Sequence, residues 1–194
     1  MRKPEATKTA ILDAAKRILT ENGALVLTID EVAKAASVSK GGVLHYYPNK
    51  EALILKLLQR ELDRFDADVE HLQRQDPAAP GAYTRAFLRA CVDEYVRGAS
   101  HAAISGLEFR NIRATQVLAQ SYINRWQQRV EGDGLDPVVA TLVRFAGGGI
   151  WLSARVNSDK PATFKAVVQK LRQFAGAPAP SKKRARKPAK HVSL

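Results

Sequence analysis

Residues 28–49 read Thr28-Ile29-Asp30-Glu31-Val32-Ala33-Lys34-Ala35-Ala36-Ser37-Val38-Ser39-Lys40-Gly41-Gly42-Val43-Leu44-His45-Tyr46-Tyr47-Pro48-Asn49, and this stretch decides the fold. Thr28 followed by Glu31 has the form of a capping box, in which hydroxyl and carboxylate each satisfy an amide of a helix's first turn. Leu27 and Val32 stand where a hydrophobic staple would close around that box. The helix so started reaches about Ala36, because Ser37-Val38-Ser39 breaks the apolar pattern and Ser39 suits the cap of a second helix. That second helix, from about Lys40 to Tyr47, is closed by Pro48, whose ring disfavours helical geometry in the residue before it. The reading is two short helices joined by a tight turn.

Helical signals continue on both sides. Upstream, Ile11, Ala14, Ala15, Ile18 and Leu19 form one stripe at three-and-four spacing over a helix from about Ala6 to Asn22, with Gly23 placed to end it. Downstream, Asn49 caps a long amphipathic helix from Lys50 towards Arg74. Pro77, Ala79-Pro80-Gly81 and Asp133-Gly134-Leu135-Asp136-Pro137 then punctuate helices of about Ala82 to Ala99, Ala102 to Ile112 and Ala114 to Glu131. Two more follow, Pro137 to Val156 and Pro161 to Phe174. Strand signals are nearly absent, so the expectation is an all-α chain of about nine helices.

Composition narrows the function. The 194 residues carry 31 Lys+Arg against 19 Asp+Glu, a net charge of +12, which favours a polyanionic partner. Half of that excess lies in the last twenty residues, where Ser181-Lys182-Lys183-Arg184-Ala185-Arg186-Lys187 is flanked by Ala and Pro and lacks large apolar groups; this tail is expected to be disordered. A polar start and a single cysteine, Cys91, lead to the expectation of a cytoplasmic, nucleoid-associated protein without a disulfide framework. The most apolar stretch, Val138 to Leu152, contains Arg144 and is too short to cross a bilayer, so no membrane partner is expected. His45, His71, His101 and His191 have no mutual metal-ligand spacing, and neither a nucleophile–base pair nor a cofactor loop emerges. No metal, no cofactor and no enzymatic activity are expected.

Two short helices packed on a first one, with cations at their edges, have the geometry that places a recognition helix in the DNA major groove. Residues 28–53 also closely resemble the amino-terminal DNA-binding domain of the tetracycline-repressor (TetR) family, in which a Thr opens the second helix, a Gly-Val-Ser-like turn follows, and a Tyr-x-Phe-like aromatic run precedes a Lys-Glu-x-Leu helix start. Here those elements are Thr28, Ser37-Val38-Ser39, Tyr46-Tyr47 and Lys50-Glu51-Ala52-Leu53, with Ser37 where glycine is usual. The resemblance covers roughly Thr7 to Leu58. It implies division into a helix-turn-helix domain (1–60), a helical ligand-binding and dimerisation domain (61–176) and the basic tail (177–194). Ile29, Val32, Ala33, Val38, Val43 and Tyr47 are the expected small core. The expected DNA contacts are Thr28 through neighbouring amides, Lys40, Gly41 and Gly42 by close backbone approach, His45 and Tyr46 on the exposed side, and Lys50, which matches a family phosphate-contact position.

One short reading helix buries too little surface for useful specificity, so a two-fold homodimer on a palindromic operator is expected. Val139, Leu142, Val143, Phe145, Trp151, Val168 and Leu171 in the last two helices are candidates for its interface. Phe87, Cys91, Tyr95, Phe109, Tyr122 and Trp126 are candidates for the lining of a small-molecule cavity, with Arg110, Arg113, Arg125 and Arg129 as possible orienters of an anion. The expected function is a ligand-responsive repressor released by a small-molecule effector. The alternative is an effector-independent architectural protein that binds DNA largely through charge.

Overall fold

In the computed structural model, residues 4–23, 25–76, 80–97, 112–153 and 162–176 are described. The apolar stripe seen in the sequence builds the first helix, α1 (Pro4–Asn22), whose Ile11, Ala14, Ala15, Ile18 and Leu19 are all buried. Helix α2 (Ile29–Ala36) starts at Thr28, whose hydroxyl accepts the Glu31 amide at 3.1 Å. Helix α3 (Lys40–Tyr46) starts at Ser39, whose hydroxyl accepts the Gly42 amide at 3.0 Å. Leu27, Val32 and Val43 are fully buried, Ala33 and Tyr47 nearly so, and Ile29 and Val38 pack half-buried against them. This is the small core expected from the sequence, and full burial of a side chain such as Val43 is worth about 1.5–3 kcal/mol.

Between α2 and α3 the chain reverses at Ser37, which adopts a left-handed conformation with φ 55° and ψ 47°. Its amide closes the end of α2 on the Ala33 and Lys34 carbonyls. Only glycine enters this region without a Cβ penalty. Ser37→Gly is therefore expected to stabilise the protein by about 0.5–1 kcal/mol, the strain removed less the extra freedom of glycine in the unfolded chain. Urea unfolding checks this as a rise in midpoint at unchanged slope.

The long helix α4 (Lys50–Arg74) spans 25 residues, roughly 37 Å at about 1.5 Å per residue. Its first half buries Leu53, Ile54, Leu57 and Leu58 in the core shared with α1, α2 and α3; its second half buries Leu62, Phe65 and Val69. That second half meets α5 (Ala82–Val96) and α6 (Arg113–Glu131), and α7 (Pro137–Ser153) lies across α5 and α6. One apolar cluster thus runs without a break from Ile11 to Ala140. Helix α8 (Phe164–Ala175) adds a second cluster, in which Val168, Leu171 and Ala175 pack with Leu88, Val92 and Val143.

Charged groups follow the same route through the molecule. Glu61, only 5% exposed, accepts Lys16 of α1 at 2.9 Å, and its neighbour Arg60 reaches Asp13 of α1 at 2.8 Å. One turn further, Arg64 pairs at 2.9 Å with Glu94 of α5, which is 2% exposed. Helix α4 is therefore tied to α1 on one side and to α5 on the other by carboxylates that are costly to leave unpaired.

Eight helices lie among the described residues, with no strand. Almost all of the helix expected over Ala102 to Ile112, Phe109 with it, falls outside the described residues, as does the basic tail. Helix α5 runs to Val96, and the rest of the helix expected to Ala99 beyond Arg97 lies outside the described residues; α8 begins at Phe164 rather than Pro161.

Candidate nucleic-acid interface and the cavity behind it

Helix α3 buries one side and leaves the other open. Val43 is fully buried, whereas Lys40, Gly41, Leu44 and His45 are exposed. The Lys40 ammonium extends to Asp30 on α2 at 3.0 Å, with both side chains well exposed. A Cβ on Gly41 would meet only the Ser39 hydroxyl, at 4.0 Å, so the outer surface of the helix is bare backbone at this point. On Gly42 it would press to 3.2 Å from the Ser39 Oγ that caps the helix, so the missing side chain there makes room for the cap.

Tyr46 departs from the sequence expectation. Its ring is half-buried against the core, edge-on to His45 at 4.9 Å, with Lys8 of α1 5.8 Å from its centre. Seven residues make fewer than two full turns, and the Tyr46 position faces α1 rather than outward. Lys8, not expected from the sequence, joins the edge of this surface; only the packing of α1 brings it there. Thr28 is exposed beside its cap, and Lys50 is half-buried at the first position of α4, where the Asn49 side chain accepts the Ala52 amide at 2.8 Å.

Behind the three-helix unit, α4, α5, α6 and α7 line a half-open cavity of about 240 Å³. Phe65 comes from α4, Phe87 and Cys91 from α5, Ile123 and Trp126 from α6, and Arg144, Gly148, Trp151 and Leu152 from α7. Phe65 is the hub of the aromatic wall, with ring centres 5.5 Å from Phe87, 5.2 Å from Trp126 and 6.0 Å from Trp151. Trp126 is held by Asp66 of α4, which accepts its indole N–H and also the Arg125 guanidinium. Gly147 lets α7 lie on α5, since a Cβ there would sit 3.5 Å from the Cys91 sulfur and 3.6 Å from Phe87.

Three of the six expected cavity residues meet here: Phe87, Cys91 and Trp126. Tyr95 instead stacks on Phe164 of α8 at 4.7 Å, away from the cavity. Tyr122 is spent within the protein, its hydroxyl donating to Asp63 and its ring lying under Arg125 at 4.2 Å. Phe109 lies outside the described residues. Of the arginines considered for an anion, Arg125 pairs with Asp66, Arg129 with Glu70 at 3.2 Å, Arg113 is exposed, and Arg110 lies outside the described residues. Arg144 lines the cavity instead, and its signal in the sequence was a lone charge inside the most apolar stretch.

The candidate dimer residues divide in the same way. Leu142 and Phe145 are 51% and 61% exposed, and Val138, not among the candidates, is 76% exposed. Val139 is half-buried. Val143, Val168 and Leu171 are buried inside the second cluster, and Trp151 turns to the cavity, so these four place their apolar surface within the protomer. Periodicity marks a helix as apolar over a wide arc; it does not tell which part of the arc a neighbouring helix covers.

Burial pushes the Cys91 thiol far above its ordinary value of 9.0 and keeps it neutral. The folded state therefore holds that proton more tightly than the unfolded one, and the stability this contributes is complete below about pH 9 and is lost as the pH rises further. Native protein at pH 8 is expected to resist iodoacetamide and to react fully in urea; rapid native labelling would contradict this placement.

No group of three or more potential metal ligands occurs among the described residues, and none of their helices is long and apolar enough to cross a membrane. A short exposed helix presented by two others, joined to an all-helical body, defines the helix-turn-helix class of transcriptional regulators. Residues 11–57 match the family model of bacterial regulatory proteins, tetR family, and residues 81–176 that of the tetracyclin repressor-like C-terminal domain. The chain belongs to the TetR family, a family of regulators rather than enzymes.

Curated relatives include the HTH-type transcriptional regulators EthR of Mycolicibacterium smegmatis, 32% identical over 73 residues, and RutR of Escherichia coli, 36% identical over 84 residues. These matches cover 38% and 43% of this chain but only 34% and 39% of the relatives' lengths. Among solved structures, AibR in complex with isovaleryl coenzyme A and operator DNA is similar at TM-score 0.66 and 22% identity, over 90% of this chain and 99% of that one. The fatty acid degradation regulator FadR of Bacillus halodurans is similar at TM-score 0.67 and 18% identity, over 90% of this chain and 96% of that one. At such identities the likeness is one of fold.

Proposed function

We propose that this chain is a ligand-responsive transcriptional repressor that binds a palindromic operator as a homodimer and is released by a small molecule. The observation that carries the reading is the exposed face of α3 standing on the same continuous core as a half-open apolar cavity, with α4 common to both. The DNA-reading unit is α1 to α3 with the start of α4, the effector and dimer unit is the body from the second half of α4 to α8, and the proposed boundary near residue 60 falls inside α4. Thr28, Lys40, Gly41, Gly42, His45 and Lys50 meet the DNA, and Tyr46 supports His45 from behind. The dimer face is the solvent side of α7, where Val138, Leu142 and Phe145 recur at helical spacing. AibR, in complex with isovaleryl coenzyme A and operator DNA, is a precedent for a protein of similar fold that binds both an operator and a small molecule.

Effector and operator are linked by mutual exclusion. A ligand that favours a pair geometry with the two α3 helices wrongly spaced must weaken DNA binding by the factor by which DNA weakens its own binding, typically about 1–3 kcal/mol. Helix α4, wedged between the ion pairs to α1 and α5, is the lever. Titration of the purified chain against a palindromic operator selected from genomic fragments and against scrambled DNA tests the reading. A preference of about 10³-fold or more is expected. Little preference would favour an architectural protein acting through charge.

A further inference from the structure

We infer that the cavity takes a small organic anion, a carboxylate on an aryl or branched alkyl body, held by Arg144 and the indole N–H of Trp151. The inference rests on the effector reading above and names its ligand class. Arg144, Gly148 and Trp151 follow one another at helical spacing on the cavity side of α7. A Cβ on Gly148 would meet nothing within 4 Å, so the missing side chain leaves a gap between the two polar groups. A carboxylate placed in that gap has Arg144 about one helical turn to one side and Trp151 about one turn to the other along α7.

Both groups lack the partner such an anion would supply. Arg125, Arg129 and Arg64 each pair with a carboxylate, whereas Arg144 is half-buried and, among the described residues, has only the neutral amide oxygen of Gln127 as acceptor and the Phe145 ring at 4.5 Å. A guanidinium carries five N–H donors in a fork that matches a carboxylate. The Trp151 Nε1 is buried with no acceptor among the described residues, and an indole N–H can only donate. Burial lowers the pKa of Arg144 from its ordinary value and outweighs the opposing pull of the Glu131 carboxylate, which is near enough to be felt but makes no ion pair with it.

The rest of the wall sets the body of the ligand. Phe65, Phe87 and Trp126 offer ring faces and edges, Cys91 is neutral, and among the described residues no acidic side chain lines the cavity to receive a cation. At about 240 Å³ the space lies below the range typical of drug-sized ligands, so it suits a single ring or a short branched chain.

Calorimetry on the full chain with 3-phenylpropionate, 3-phenylpropanamide and 3-phenylpropylammonium tests the inference. The acid is expected to bind about tenfold or more tighter than the amide, and the ammonium more weakly than either. Arg144→Gln is expected to bring the acid down to the affinity of the amide while leaving the amide unchanged, which a merely damaged fold would not do. Gly148→Leu, whose side chain enters empty space, is expected to keep the helical circular dichroism and abolish binding of acid and amide alike. Equal affinity for acid and amide, an acid preference that survives Arg144→Gln, acid binding unaffected by Gly148→Leu, or no acid binding at millimolar concentration would each overturn the ligand class. Acid binding that leaves operator affinity unchanged would support the ligand class and sink the effector reading. Operator release by the amide or ammonium, with no preference for the acid, would do the reverse.

Discussion

Asp66→Ala is expected to destabilise the protein by about 2–4 kcal/mol, read as a fall in the urea midpoint. The Asp66 carboxylate, 15% exposed, takes both the Trp126 indole N–H and the Arg125 guanidinium. Alanine leaves the buried Trp126 indole N–H orphaned, a loss larger than the bond itself, whereas water reaches the half-exposed Arg125 guanidinium and softens the loss of its counter-charge. Asp66→Asn, which keeps an acceptor oxygen, should recover part of the loss. Since Trp126 also forms a wall of the cavity, the alanine variant should lose ligand affinity even where it remains folded. A midpoint unchanged within error would show that the Asp66 contacts contribute nothing net.

Lys40→Glu is expected to leave stability within about 0.5 kcal/mol of the parent and to remove specific operator binding. The pair with Asp30 is open to solvent, its side chains 60% and 66% exposed, and such pairs contribute about 0–1 kcal/mol. On DNA the same position is the first residue of the recognition helix, beside bare backbone at Gly41. Losing a groove contact costs about 1–3 kcal/mol, and two copies in the proposed dimer make that about 2–6 kcal/mol, roughly 30-fold to 10⁴-fold in affinity. Reversal of charge near phosphate adds repulsion and flattens the dependence on salt. Fluorescence anisotropy with labelled operator at two salt concentrations measures both effects. Operator affinity within a factor of three of the parent would mean that α3 does not face the groove through Lys40.

The helix-turn-helix unit was legible because its determinants are local. Thr28, Ser39 and Asn49 cap helices whose first-turn amides lie within three residues of them, so spacing alone announces the bond. The stripe from Ile11 to Leu19 marks the buried side of α1 for the same reason. Ser37 was visible as a substitution in a glycine position, and its left-handed backbone gives that substitution an energetic meaning. Tyr46 is half-buried where full exposure was expected, because a short helix puts successive residues about 100° apart and the position of α1, remote in sequence, chooses which of them is partly covered.

The cavity was only half legible. Phe87, Cys91 and Trp126 were found by residue type, but Trp151 was read as interface and Phe65 was not singled out, since an aromatic ring beside empty space and one beside a packed neighbour carry the same pattern in the chain. Arg144 had a signal, a lone cation in an apolar run, whose meaning depended on what the other helices placed around it.

Read without coordinates, the chain already specifies its all-helical class, its capped helix starts and its family, because these depend on periodicity and on contacts a few residues long. Partners distant in sequence come only with the fold. The Asp133 carboxylate, from the turn before α7, accepts the Tyr83 and Thr84 amides at 3.1 and 2.7 Å and so caps α5 where Gly81 offers no side chain. The pairing of Asp66 with Trp126, the exposure of Phe145 beside the burial of Val143, and the gap over Gly148 belong to the same group. Each depends on how helices far apart in the chain come to lie against one another, and side-chain packing settles that only when the whole core closes.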